Sequence, residues 1–119
     1  MRRHREQDTV TAIVAFLRAH RMPVIRLNSG AFVATDAHGR RRFHRFGVTG
    51  MADIHVCLPN GRCCWLEVKS NDGRLTPEQT AFLAEHRKSL GLAFVVRSVD
   101  EVADVLKAHG YLSPRKETL

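Results

Sequence analysis

The stretch WLEVKSNDGRLTPEQ, residues 65–79, joins two elements of different type. Trp65, Leu66 and Val68 form an apolar strand end, yet Glu67 and Lys69 put opposite charges into it. Side chains repeat every two residues along a strand, so Glu67 and Lys69 share one side and Val68 takes the other. Thr76 can then cap a helix, with Pro77 at the first helical position and Gln79 completing a Thr-x-x-Gln capping box. That helix runs to about Leu90, and Gly91 is the stop. It carries the chain over to LAFVVR, whose nearly uniform apolarity predicts an interior strand. A strand, a crossover helix and a second strand are the signature of a parallel pair.

Upstream, Asp53 to Leu58 alternates, with Ile54, Val56 and Leu58 on one face and Asp53, His55 and Cys57 on the other. Pro59-Asn60-Gly61 turns this strand into its partner, about Arg62 to Ser70. GVTGMAD, residues 47–53, is a glycine-marked loop leading in. VIRLNSGAFVATD reads as extended, with Asn28-Ser29-Gly30 able to bend it, and residues 40–46 form a further strand. Residues 6–20 read as an amphipathic helix with Val10, Ile13, Val14 and Leu17 on one stripe, closed by Pro23. Ser98 to Glu101 is a second capping box, opening a helix with Val102, Val105 and Leu106 inward and Gly110 as the stop. The predicted fold is α/β, one mixed central sheet flanked by helices.

The 119 residues predict a single domain over 1–119, with residues 113–119 a loose tail. Lys and Arg outnumber Asp and Glu, 19 to 12, and a formal charge of +7 favours a polyanionic partner such as nucleic acid. The charged start MRRHREQD has no apolar run after it, and no stretch is long enough to cross a bilayer, so a cytoplasmic location is the expectation. Cys63 and Cys64 are adjacent and would face opposite ways, and no CxxC spacing exists. Free thiols fit better than a zinc site built from Cys57, another cysteine and a histidine.

The strand pair brings chemistry together. Asp53 starts one strand and Glu67 lies near the end of its hairpin partner, so the two carboxylates can meet across the ladder. They repel unless a cation lies between them, and an all-oxygen site suits Mg²⁺ or Mn²⁺, with the backbone carbonyl of Val68 as a further ligand. Lys69 beside the ion would hold an anionic substrate or stabilise developing negative charge. Alone, Glu-x-Lys is as readily a solvated pair on an outer face. The chemistry also makes a demand on the turn: a two-residue Asn60-Gly61 connection would oppose position 53 with 68, on the wrong face. An odd loop or bulge with Gly61 left-handed is therefore required.

The pattern Asp53 … Glu67-Val68-Lys69 resembles the PD-(D/E)xK nuclease superfamily, with Ala52 where proline commonly precedes the aspartate. Arg26-Leu-Asn-Ser-Gly30, Gly47–Asp53, Trp65–Lys69, Gly73–Gln79 and Val95-Val-Arg-Ser98 together are similar to the VRR-NUC (virus-type replication-repair nuclease) domain. The resemblance implies a restriction-endonuclease-like core. It further implies Asp53 and Glu67 as ligands of Mg²⁺ or Mn²⁺ and Lys69 as the catalytic lysine. Gln79 matches the family's downstream glutamine, and Glu6 stands where related nucleases place an additional acid. Small members resemble Holliday-junction resolvases, act as homodimers on branched DNA such as four-way junctions or flaps, and often come from phages or prophages. Both latter residues have a second explanation: Gln79 as the capping-box residue, Glu6 as an acid favouring a helix N-terminus.

Arg40, Arg41, Arg42 and Arg45, with Arg74, are the expected DNA-backbone contacts, and an exposed strand kept soluble by charge is their simpler explanation. His44 and His55 could tune the site, although an ordinary hydrogen-bonded His55 is the simpler reading. Trp65 shares the face of Glu67 and should pack beneath a helix or at a subunit contact. The expected function is metal-dependent DNA endonuclease, structure-selective on branched DNA. The alternatives are a catalytically idle nucleic-acid-binding module of the same fold, or a restriction-type nuclease, for which this chain leaves little room.

Overall fold

The computed structural model describes residues 2–27, 31–45 and 48–112, with side chains over 5–27, 35–41 and 48–112. Along the chain run α1 (Arg2–Ala19), β1 (Val24–Arg26), β2 (Ala31–Thr35), β3 (Arg41–Arg45), β4 (Ile54–Cys57), β5 (Cys63–Val68), α2 (Pro77–Lys88), β6 (Leu92–Val96) and α3 (Val99–Ala108). The expected bend at Asn28-Ser29-Gly30 and the tail 113–119 lie outside the described residues.

Four strands form a sheet in the order β1-β4-β5-β6, antiparallel at the first two junctions and parallel at the third. The parallel pair is joined through α2, as a crossover requires. Two expectations need correction. LAFVVR is not interior to the sheet: β6 pairs with β5 alone among the described residues. Its apolarity answers to covered faces instead, since Leu92 and Val96 enter one core cluster and Ala93 the other. Nor do the described residues form one sheet. β2 and β3 form a separate antiparallel ribbon, Ala31 against Arg45 through Thr35 against Arg41. Its turn is organised by Asp36, whose Oδ1 accepts the N–H groups of His38 and Arg40 at 2.8 and 2.9 Å.

The four-stranded sheet is packed on both faces. On one, Ile54, Val56, Leu58, Cys64, Leu66, Val68 and Val96 meet the α1 stripe Val10, Ile13, Val14 and Leu17 and the α3 pair Val102 and Leu106. On the other, α2 lays Phe82 and Leu83 over Ala52 and Ala93, with Trp65 packed against them. Leu66 is fully buried, so truncating it to Ala would cost about 2–5 kcal/mol.

Helix ends follow the predicted capping with local differences. At α2, Thr76 Oγ1 accepts from Gln79 N–H at 3.1 Å and Gln79 Oε1 accepts from Thr76 N–H at 3.0 Å. At α3 only half the box forms: Ser98 caps Glu101 N–H, but Glu101 reaches one residue further back, to Arg97 N–H, at 2.7 Å. α1 ends at Ala19, ahead of Pro23, and Arg21 turns left-handed at φ 59° while Met22 N–H bonds to Leu17 O. Leu90 does the same after α2, at φ 65°, so Gly91 only follows the reversal. α3 does end on a left-handed glycine, Gly110, with Tyr111 N–H bonded to Leu106 O.

Candidate active site

β4 and β5 are set by a three-residue connection. Leu58 N–H bonds to Arg62 O at 3.0 Å, Gly61 N–H to Leu58 O at 2.7 Å, and Gly61 is left-handed at φ 81°. Ile54 then opposes Leu66, and one position further Asp53 falls against Glu67 on the α2 side of the sheet. This is the odd offset that a shared ion requires.

At that end the two strands part. Asp53 O accepts Leu27 N–H on the β1 side at 2.7 Å. Val68 N–H points at β4 with no ladder carbonyl to receive it, and Asp53 Oδ2 accepts it at 2.8 Å. Glu67 is only 3% exposed. Its Oε1 accepts from Gln79 Nε2 at 3.1 Å and lies 3.6 Å from Lys69 Nζ. Its Oε2 is buried with no hydrogen-bond donor. Burial, and then the neighbouring Asp53 carboxylate, push the Glu67 carboxyl up to about 8, with Lys69 opposing the shift. Burial raises Asp53 as well, partly offset by the Val68 N–H. Two acids that resist ionisation side by side, one with an orphan oxygen, form a site that favours a cation. Only two carboxylates meet there, and no group of three or more His, Cys, Asp or Glu ligands is gathered among the described residues.

Gln79 makes two contacts at once: its amide oxygen closes the capping box while its amide nitrogen donates to Glu67. The loop before Asp53 rests on the same helical turn. Gly50 has φ +80°, and a Cβ there would stand 2.4 Å from the backbone carbon and oxygen of Glu78. Glu6 does not act at a helix N-terminus, because α1 begins at Arg2. It reaches the loop after β5, its Oε1 accepting Ser70 N–H at 3.1 Å, and its charge adds to the upward shift of Asp53.

Arg97 carried no expected role, although it falls in the quoted Val95–Ser98 segment. Its guanidinium donates to Ser70 O at 3.1 Å and Gly73 O at 3.4 Å, clamping the loop between β5 and α2. An apolar strand closed by an arginine was the available signal; its target was not. Beside the clamp lies a cavity of about 310 Å³ lined by Arg5, Thr9, Ser70, Asn71, Asp72 and Arg97. Arg40 and Arg41 are exposed at the tip of the β2–β3 ribbon, and Arg74 is exposed in the loop before α2. The side chains of Arg42, Arg45 and His44 lie outside the described residues. Trp65 packs under α2, its ring centroid 5.0 Å from Phe82 and 4.9 Å from His86. His55 Nε2 contacts Cys63 Sγ at 2.7 Å.

No protein-family model matches the sequence, and no curated protein does. A solved structure described as "VRR_NUC domain" superposes with a TM-score of 0.62 at 26% identity, covering 90% of this chain and 98% of that one. The fold is α/β and nuclease-like, a four-stranded mixed sheet with three helices. The likeness to that domain supports the motif resemblance and a nuclease-type domain. No described helix is long and apolar enough to cross a membrane.

Proposed function

We propose that this chain is a metal-dependent DNA endonuclease that hydrolyses phosphodiester bonds. The observation that carries this reading is the meeting of Asp53 and Glu67 at the parted strand ends, with Glu67 Oε2 buried and unpartnered. The donor set is all oxygen, which fits Mg²⁺ or Mn²⁺: Asp53, Glu67 and the Val68 backbone carbonyl would hold it. A bound divalent ion supplies Lewis acidity at the phosphoryl oxygen and lowers the cost of deprotonating water.

The chain's own groups do the rest. Lys69, 3.6 Å from Glu67 Oε1, orients the attacking water and offsets the negative charge that grows on the phosphoryl oxygens. Gln79 keeps Glu67 aimed at the site, and Glu6 with Arg97 fixes the loop that follows Lys69. Arg40, Arg41, Arg42, Arg45 and Arg74 contact the DNA backbone, where charge gives affinity without sequence preference. Branched DNA as substrate and a homodimer as the acting form rest on the family resemblance. A two-fold dimer can engage both related strands of a four-way junction.

The test is cleavage of a labelled four-way junction against linear duplex, with Mg²⁺, Mn²⁺ or chelator. Junction cleavage that needs metal and is lost in Glu67→Ala and Lys69→Ala, with binding kept, is expected. Junction binding without cleavage under every metal condition would instead identify an idle binding module.

A further inference from the structure

The hairpin that positions the carboxylates carries a second reactive pair at its other end. Cys57 on β4 and Cys63 on β5 are directly opposed. The neighbouring rung, Leu58 with Arg62, is hydrogen-bonded, and Cys57 N–H bonds away from β5, to Pro23 O at 3.0 Å. Cys57 and Cys63 therefore occupy a non-hydrogen-bonded rung, where opposed Cα atoms stand about 4.5 Å apart and side chains are closest. That separation lies at the short end of the roughly 4.4–6.8 Å that a disulfide spans.

Both thiols are free and partly exposed, whereas Cys64 is buried in the core. Cys63 Sγ is held on the α2 face by the 2.7 Å contact with His55. Cys57 Sγ rests 3.8 Å from Leu58 O, and as an opposed pair Cys57 and Cys63 share one face of the hairpin. Neither sulfur has a part in the carboxylate site.

We propose that Cys57 and Cys63 form a reversible cross-strand disulfide by exchange with a low-molecular-weight disulfide. One thiol of the pair attacks first, forming a mixed disulfide and releasing one small thiol, which leaves with the cysteine proton. The opposed cysteine then attacks the protein sulfur of that mixed disulfide, forming the cross-strand bond and releasing the second small thiol. The two cysteines are oxidised together and one small disulfide is reduced to two thiols. Exchange with a small thiol would open the bridge again. The proposal is independent of the nuclease reading.

The experiment treats the native full chain with oxidised glutathione and follows thiol count and tryptic peptides. Cleavage after Arg62 separates Cys57 from Cys63, so the bridge joins two peptides. Two of the three thiols should disappear and return with dithiothreitol, with Cys64 about tenfold slower or more. Cys57→Ser should stop at a glutathione adduct, Cys63→Ser should give no linked peptides, and Cys64→Ala should still close the bridge. A wild-type chain that stops at the glutathione adduct, or whose exposed thiols react no faster than Cys64, overturns the proposal.

Discussion

Glu67 shows how much one side chain's surroundings decide. It stands on the face that α2 covers, so its carboxylate is buried, and its pKa is raised to about 8 against an ordinary 4.5. The folded state then binds more protons than the unfolded one between those values. Stability from this group is intact below about pH 4.5 and is lost as the pH rises through about 8. Without metal, Glu67→Gln should therefore raise Tm relative to wild type by an amount that grows with pH. Thermal melts across that range check this, and a gap that shrinks with pH would contradict it. Gln79 does two jobs, and two substitutions separate them. Thr76→Ala removes only the cap, about 1 kcal/mol, and should leave cleavage intact. Gln79→Ala also frees Glu67 and should lower cleavage about 10–100-fold. Steady-state rates beside melting curves tell these apart. Asp53, Glu67, Lys69 and the Gln79 cap could be read from spacing, because strand parity and capping are local rules. The turn of Glu6 towards Ser70 could not, because that bond spans 64 residues and depends on how α1 docks.

The β4–β5 hairpin is the element on which the site depends. Its three-residue connection sets the face on which Asp53 lies, so deleting Asn60 should move Asp53 off Glu67's side and abolish cleavage. Two of the left-handed glycines, Gly50 and Gly61, differ in surroundings. Gly61 has nothing within 4 Å of an added Cβ, so Gly61→Ala should cost only about 1 kcal/mol of backbone strain. At Gly50 the Cβ meets Glu78 backbone at 2.4 Å, and Gly50→Ala should cost about 2–4 kcal/mol and shift the turn that carries Gln79. Chemical denaturation of both variants measures the contrast. The odd loop could be predicted because the chemistry demanded it. The lateral place of β6 could not, because an apolar run reports covered faces and not how many strands lie beside it. Arg21 and Leu90, reversing the chain without glycine, gave no sequence signal either.

Across the molecule, two cores clamp the sheet from opposite faces, and the carboxylates emerge where its strands end. The ribbon β2–β3 lies outside that clamp, carrying exposed Arg40 and Arg41. If it holds the DNA backbone, replacing both with Ala should reduce the slope of log affinity against log salt by about one for each phosphate no longer neutralised. Fold class and helix order followed from periodicity and caps; separation of the ribbon did not, since an alternating strand does not name its partner. The frayed end of the sheet also supplies a probe. The amide of Val68 is bound by an oxygen of Asp53, one of the atoms expected to grip the ion. Loading the ion and protecting that amide are thus two readings of one carboxylate's position. The Val68 proton becomes a spectroscopic gauge, so titrating Mg²⁺ should change its NMR shift and deuterium exchange before the buried amides of the core respond.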